Sequence, residues 1–176
     1  VATLLEQLPA LLGVLVGAAG SLAVATIGDR ARFRRDQDSR SLERRLAAYR
    51  DYSRAMKSNV NTMLRVAAQI GEDPRPHPHP LAPEAGELLL AESVEARDLA
   101  WETLLLLGSA EVLEAASAWF GTVATLERSA RDATRDPVAW DESVNRQFDA
   151  RMEFYAAARR DLGLQPVHQP ARPLEG

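Results

Sequence analysis

Twenty consecutive residues, Leu8 to Ile27, carry no charge. As a helix this run rises about 30 Å, the thickness of a bilayer core. Nine of its residues are Leu, Val or Ile, each favouring insertion by roughly 0.3–0.6 kcal/mol. Gly13, Gly17, Gly20 and Ser21 weaken that preference, and Pro9 falls in the first turn, where a missing N–H costs least. The run predicts a transmembrane anchor over residues 1–28. Ala23-Val24-Ala25 resembles a signal-peptidase site, but Glu6 precedes the run and no Lys or Arg does. That polarity is wrong for a secretory leader.

The flanking charge sets the expected orientation. Residues 30–54 hold nine arginines against Asp36, Asp38, Glu43 and Asp51. Arg30, Arg32, Arg34 and Arg35 lie closest to the apolar run, and positive residues at this distance hold a segment on the cytoplasmic side. The N-terminus is expected outside and the remainder in the cytoplasm, at the cell membrane. The same four arginines are the predicted membrane-association residues, facing anionic headgroups. Within the run Gly13, Gly17, Ser21 and Ala25 recur every four residues. Small residues on one helical face let two backbones approach in lipid, so these four are the predicted anchor self-association face and a homo-oligomer is expected through it.

Beyond the anchor the chain reads as all-α. Ala and Leu dominate, while the β-branched strand formers are sparse. No Pro or Gly interrupts 29–70. From Leu42 a seven-residue repeat runs through Tyr49, Met56, Met63 and Ile70, interleaved with Leu46, Ser53, Val60 and Ala67. This is the a/d seam of a bundle or coiled coil. Residues 29–41 are polar apart from Ala31 and Phe33 and read as an exposed, Arg-rich helical stalk. Gly71 to Pro83 contains five prolines and must be a loop.

A second helix is expected over 84–107, with Leu90, Val94, Trp101, Leu104 and Leu105 on one face. Gly108-Ser109 ends it, Ser109 capping a third helix that runs to about Arg131 on a face of Val112, Trp119, Val123, Leu126 and Ala130. Asp136-Pro137 opens a fourth, lined by Val144, Phe148, Met152, Tyr155 and Leu162 and stopped by Gly163. The predicted fold is an N-terminal transmembrane helix followed by an antiparallel, up-down four-helix bundle over 42–163, with a disordered tail over 164–176.

Catalytic, cofactor and metal motifs are missing. The chain has no cysteine, P-loop, dinucleotide fingerprint, nucleophile elbow or His-Glu-x-x-His helix. His77 and His79 stand in a proline-rich loop and His168 in the tail, too few ligands for a metal site. Glu84, Glu87, Glu95, Asp98 and Glu102 share an arc of the second helix, but no Glu-x-x-His motif joins them. They read as a solvated face or a partner for arginines. The arginines of 30–54 adjoin the anchor and lack interleaved aromatics beyond Phe33, Tyr49 and Tyr52, which argues against nucleic acid.

The Leu-Leu-Gly-Ser-Ala-Glu-Val corner at 106–112 and the closing Arg-Arg-Asp-Leu-Gly-Leu at 159–164 follow a glycine-containing anchor and an arginine-rich stalk. This layout resembles single-pass membrane proteins of GC-rich filamentous bacteria with a cytoplasmic helical bundle. The resemblance implies no catalytic residues, and some proteins of that layout are associated with plasmid spread. The expectation is a membrane-anchored scaffold, adaptor or regulator with a protein partner and no enzymatic activity. The alternatives are a conjugation accessory protein and an enzyme or metal-binding bundle whose site the sequence conceals.

Overall fold

A computed structural model describes the backbone of residues 2–75, 77–131 and 136–165, and the side chains of 36–75, 77–130 and 136–165. Among the described residues the only regular secondary structure is helix. Four helices follow one another: α1 (Ala2–Gln69), α2 (Pro83–Leu107), α3 (Ala110–Arg131) and α4 (Pro137–Asp161). The chain divides into two compact units, Val1–Glu43 and Arg44–Gly176. Among the described residues no helix is long and apolar enough to cross a membrane. The apolar run Leu8–Ile27 lies outside the residues whose side chains are described, as do Gly13, Gly17, Ser21, Ala25, Arg30, Arg32, Arg34 and Arg35. The tail from Pro166 onward, with His168, is also outside them.

Helix ends within the second unit follow local chemistry. Gly71 and Gly163 have φ of 75° and 68°, the left-handed conformation that ends a helix cheaply only at glycine. Ser109 Oγ accepts from Val112 N at 3.4 Å at the start of α3. Asp136 Oδ1 accepts from Val138 N at 3.0 Å, with Pro137 in the first turn of α4.

In this unit α1 and α2 run in opposite directions. Tyr52 meets Trp101 with ring centroids 6.0 Å apart, Asn59 Nδ2 donates to Ser93 Oγ at 3.0 Å, and Gly86 lies against Val66. As residue numbers rise on one helix they fall on the other. The start of α3 approaches the end of α4, where Arg160 pairs with Glu111 at 2.6 Å, and α3 and α4 pack closely. The end of α4 returns to α1, where Asp161 accepts from Tyr49 at 2.5 Å and from Arg45 at 3.5 Å. Arg65 Nε donates to the His79 carbonyl at 2.7 Å, and Arg75 joins Asp73 to Asp141 at the opposite end. These contacts tie the proline-rich loop to α1 and α4.

The core is aromatic at its centre. Tyr52, Trp119 and Phe154 are fully buried, with centroid separations of 5.9 Å for Tyr52–Trp119 and 5.3 Å for Tyr52–Phe154. The Tyr52 hydroxyl donates to the Ala116 carbonyl at 2.9 Å, so its buried polar end is satisfied. Of the heptad seam, Tyr49, Ser53, Met56, Val60, Met63 and Ala67 are buried, whereas Leu42, Leu46 and Ile70 at its ends are exposed.

Two helices are rotated from the faces expected above. α4 buries Trp140, Phe154, Ala157 and Ala158 with Val144, while Phe148, Met152, Tyr155 and Leu162 stand only half-buried. The aromatic centre decides between the neighbours Phe154 and Tyr155: Phe154 stacks beside Tyr52, and a face through Phe148 would not. The second rotation concerns α2.

Candidate interaction face on α2

α2 buries Gly86, Ser93, Arg97 and Leu104, a seam of which only one member is a large apolar residue. Each has a specific reason to face inward. Gly86 lets α1 approach, since a Cβ there would collide with Val66. Ser93 takes the Asn59 amide and donates to the Leu90 carbonyl at 2.9 Å. The Arg97 guanidinium lies 4.6 Å above the Phe120 ring and 3.1 Å from Asp98, so its charge is stacked and paired. Leu90, Val94 and Trp101 flank the seam half-buried, and Leu105, expected inside, is exposed.

The rotation turns leucines outward. Leu88, Leu89, Leu99, Leu105 and Leu106 are all exposed, and Leu88, Leu99 and Leu106 retain 71%, 64% and 85% of their surface. At 3.6 residues per turn these three lie on the side of α2 opposite the buried seam. Glu92, Glu95 and Glu102 fill the positions between them and are exposed. The set 88, 92, 95, 99, 102 and 106 is spaced 4, 3, 4, 3, 4, the spacing of a helix–helix seam. α2 thus carries one narrow inner seam and a second, leucine-glutamate seam facing water.

A groove opens beside it. Met63 and Val66 of α1, Ile70 just past its end, and Gly86, Leu90 and Val94 of α2 line a largely apolar hollow of about 710 Å³ with Glu87 at its wall. Its size and lining suit apolar side chains or a small apolar ligand.

The acidic stripe expected from the sequence is where it was placed. Glu84, Glu87, Glu95, Asp98 and Glu102 are exposed on α2, and Asp98 alone of the five has an ion pair among the described residues. Leu88, Leu99 and Leu106 were not singled out by sequence reasoning. Their 11- and 7-residue separations were a usable signal, hidden by the competing leucines at 89, 90, 104, 105 and 107. His77 is half-buried and His79 exposed, and no three His, Asp or Glu side chains among the described residues are grouped to hold a metal ion.

Two tyrosines are electrostatically displaced. Burial, with the hydrogen bond to Asp161 and its charge, pushes the Tyr49 hydroxyl well above the usual tyrosine range, against the opposing pull of Arg45. Burial does the same to Tyr52, opposed by Arg97. Both hold their protons more tightly than a free phenol, which suits hydrogen-bonding anchors rather than general bases.

Comparison with known protein families, with curated proteins and with solved structures finds no match to this chain.

Proposed function

We propose that this chain is a membrane-anchored interaction protein, an adaptor or scaffold without chemistry of its own, which holds a helical bundle at the cytoplasmic face. The outer face of α2 carries the reading. Folding has buried Tyr52, Trp119, Trp140 and Phe154 and left a row of leucines in water, on a helix that has a separate seam for its own bundle. Exposed apolar rows rimmed by charge mark surfaces that meet another molecule. The location rests on hydropathy and charge. Leu8–Ile27 supplies the span, Arg30, Arg32, Arg34 and Arg35 supply the cytoplasmic bias and headgroup contacts, and Gly13, Gly17, Ser21 and Ala25 supply a face for pairing anchors.

The test is site-specific photo-crosslinking in intact cells. A photoreactive residue at position 99 or 106 of α2 is expected to give discrete adducts, and one at Glu153 on the exposed side of α4 is not. Adducts absent at both α2 positions, or equally abundant at Glu153, would sink the reading. Location is read in parallel: the chain should stay in the membrane pellet after alkaline carbonate extraction, and external protease should leave residues 40–176 uncut.

A further inference from the structure

We infer that the outer seam of α2 docks a basic amphipathic helix of a partner protein, one that presents apolar residues at 3–4 spacing flanked by Lys and Arg. This rests on the interaction-protein reading above and names the chemistry of the partner. Three observations carry it. Leu88, Glu92, Glu95, Leu99, Glu102 and Leu106 have the spacing at which one helix receives another, which commits the occupant to a helix. Glu92, Glu95 and Glu102 have no ion pair among the described residues, so their carboxylates are available across an interface. α2 as a whole holds six acidic residues against the single Arg97, and that arginine is buried and already paired.

The charge discriminates among occupants. A second copy of α2 would set glutamates against glutamates, and antiparallel pairing of Leu88 with Leu106 would oppose Glu92 to Glu102. The exposed side of α1 in a second copy offers Arg50, Arg54 and Lys57 but sets Asp51, Ser58 and Asn61 among them. Among the described residues of that helix the exposed leucines are Leu42 and Leu46 alone, at one end, too few to match the row on α2. A lipid surface of anionic headgroups would repel the same glutamates. A basic helix with its own apolar row satisfies both halves of the seam. The leucines lose water, and the glutamates meet cations at the rim, where they set specificity and encounter rate.

The experiment uses the full chain in phosphatidylcholine nanodiscs, with empty discs as the reference, and two fluorescent helical peptides. Both peptides carry leucine at their a and d positions. One has lysine and arginine at the flanks, the other glutamate. The basic peptide is expected to bind at least about tenfold more tightly than its acidic twin, with the difference shrinking as salt is raised. Leu99→Ser with Leu106→Ser should remove binding of both. Glu92→Lys with Glu95→Lys and Glu102→Lys should invert the preference toward the acidic peptide, an outcome that misfolding does not produce. Equal binding of the two peptides, no binding of either, or an uninverted preference would overturn the proposal. So would a drop in oligomer size caused by Leu99→Ser with Leu106→Ser, because the seam would then be covered by a second copy. If photo-crosslinks form from α2 while the peptide preference fails, the interaction reading stands and the basic-helix partner does not.

Discussion

α2 and α4 are both 25 residues long, and each has a proline in its first turn. There the likeness stops. α4 starts on Asp136, whose side chain caps the helix, whereas α2 starts on Ala82 with no side-chain cap. Buried on α4 are Trp140, Val144, Phe154, Ala157 and Ala158, and of its large apolar side chains Val138 stands exposed. Only Leu104 is a buried large apolar residue on α2, which exposes five leucines. The helix with more leucine thus contributes less to the core. Apolar content on a helix measures the contacts it can make, and its own fold need not use them all.

The comparison breaks most sharply at single side chains. Phe154→Ala on α4 should cost about 3–5 kcal/mol and Leu104→Ala on α2 about 2–5 kcal/mol, since both side chains are fully buried. Urea denaturation followed by circular dichroism measures both. If Leu104→Ala were as mild as a surface change, α2 would not be held by its narrow seam.

A second expectation concerns pH. Tyr49 and Tyr52 have hydroxyl pKa values raised by folding, Tyr49 by burial and Asp161, Tyr52 by burial. Their contribution is fully present below the unfolded tyrosine pKa of about 10. It is lost as pH rises above that value, because the unfolded chain releases those protons first. Denaturation midpoints should therefore fall from about pH 10 upward. Tyr52→Phe, already weaker for want of the Ala116 hydrogen bond, should show a shallower alkaline decline than the wild type. An equally steep decline would remove Tyr52 from the account.

Smaller effects are expected at the helix starts. Asp136→Ala should cost about 1 kcal/mol by removing the bond to Val138 N. Ala82→Asp should supply α2 with the cap it lacks and stabilise by up to about 1 kcal/mol. The smallest effect belongs to the outer seam. Leu106→Ala should change stability by no more than about 0.5 kcal/mol, even though Leu104→Ala two residues away is severe. A large loss at Leu106 would mean that the bundle itself uses this face and would remove the basis for a docking surface.

Much of the bundle is legible without coordinates. Gly71, Gly108-Ser109, Asp136-Pro137 and Gly163 each bracket a helix within a residue or two of where it begins or ends. The seam on α1 is readable because its large apolar residues from Tyr49 to Met63 sit on one face only. The site is less legible. The acidic residues of α2 are visible as a stripe, but the leucines that make the stripe a surface are not.

The sequence by itself determined the all-helical class, the helix ends within the second unit and the buried side of α1 and α3. Those features depend on backbone dihedrals, missing N–H groups, side-chain caps and clean periodicity, all of which act over a few residues. Tertiary structure alone decided the rotation of α2 and α4. Leucines at 88, 89, 90, 99 and 104–107 point around most of the α2 circumference, so periodicity cannot choose a face. The choice falls to points of contact with other helices. Gly86 admits Val66, Ser93 receives Asn59, and Arg97 stacks on Phe120. These three contacts fix the phase of the helix and turn Leu88, Leu99 and Leu106 toward water.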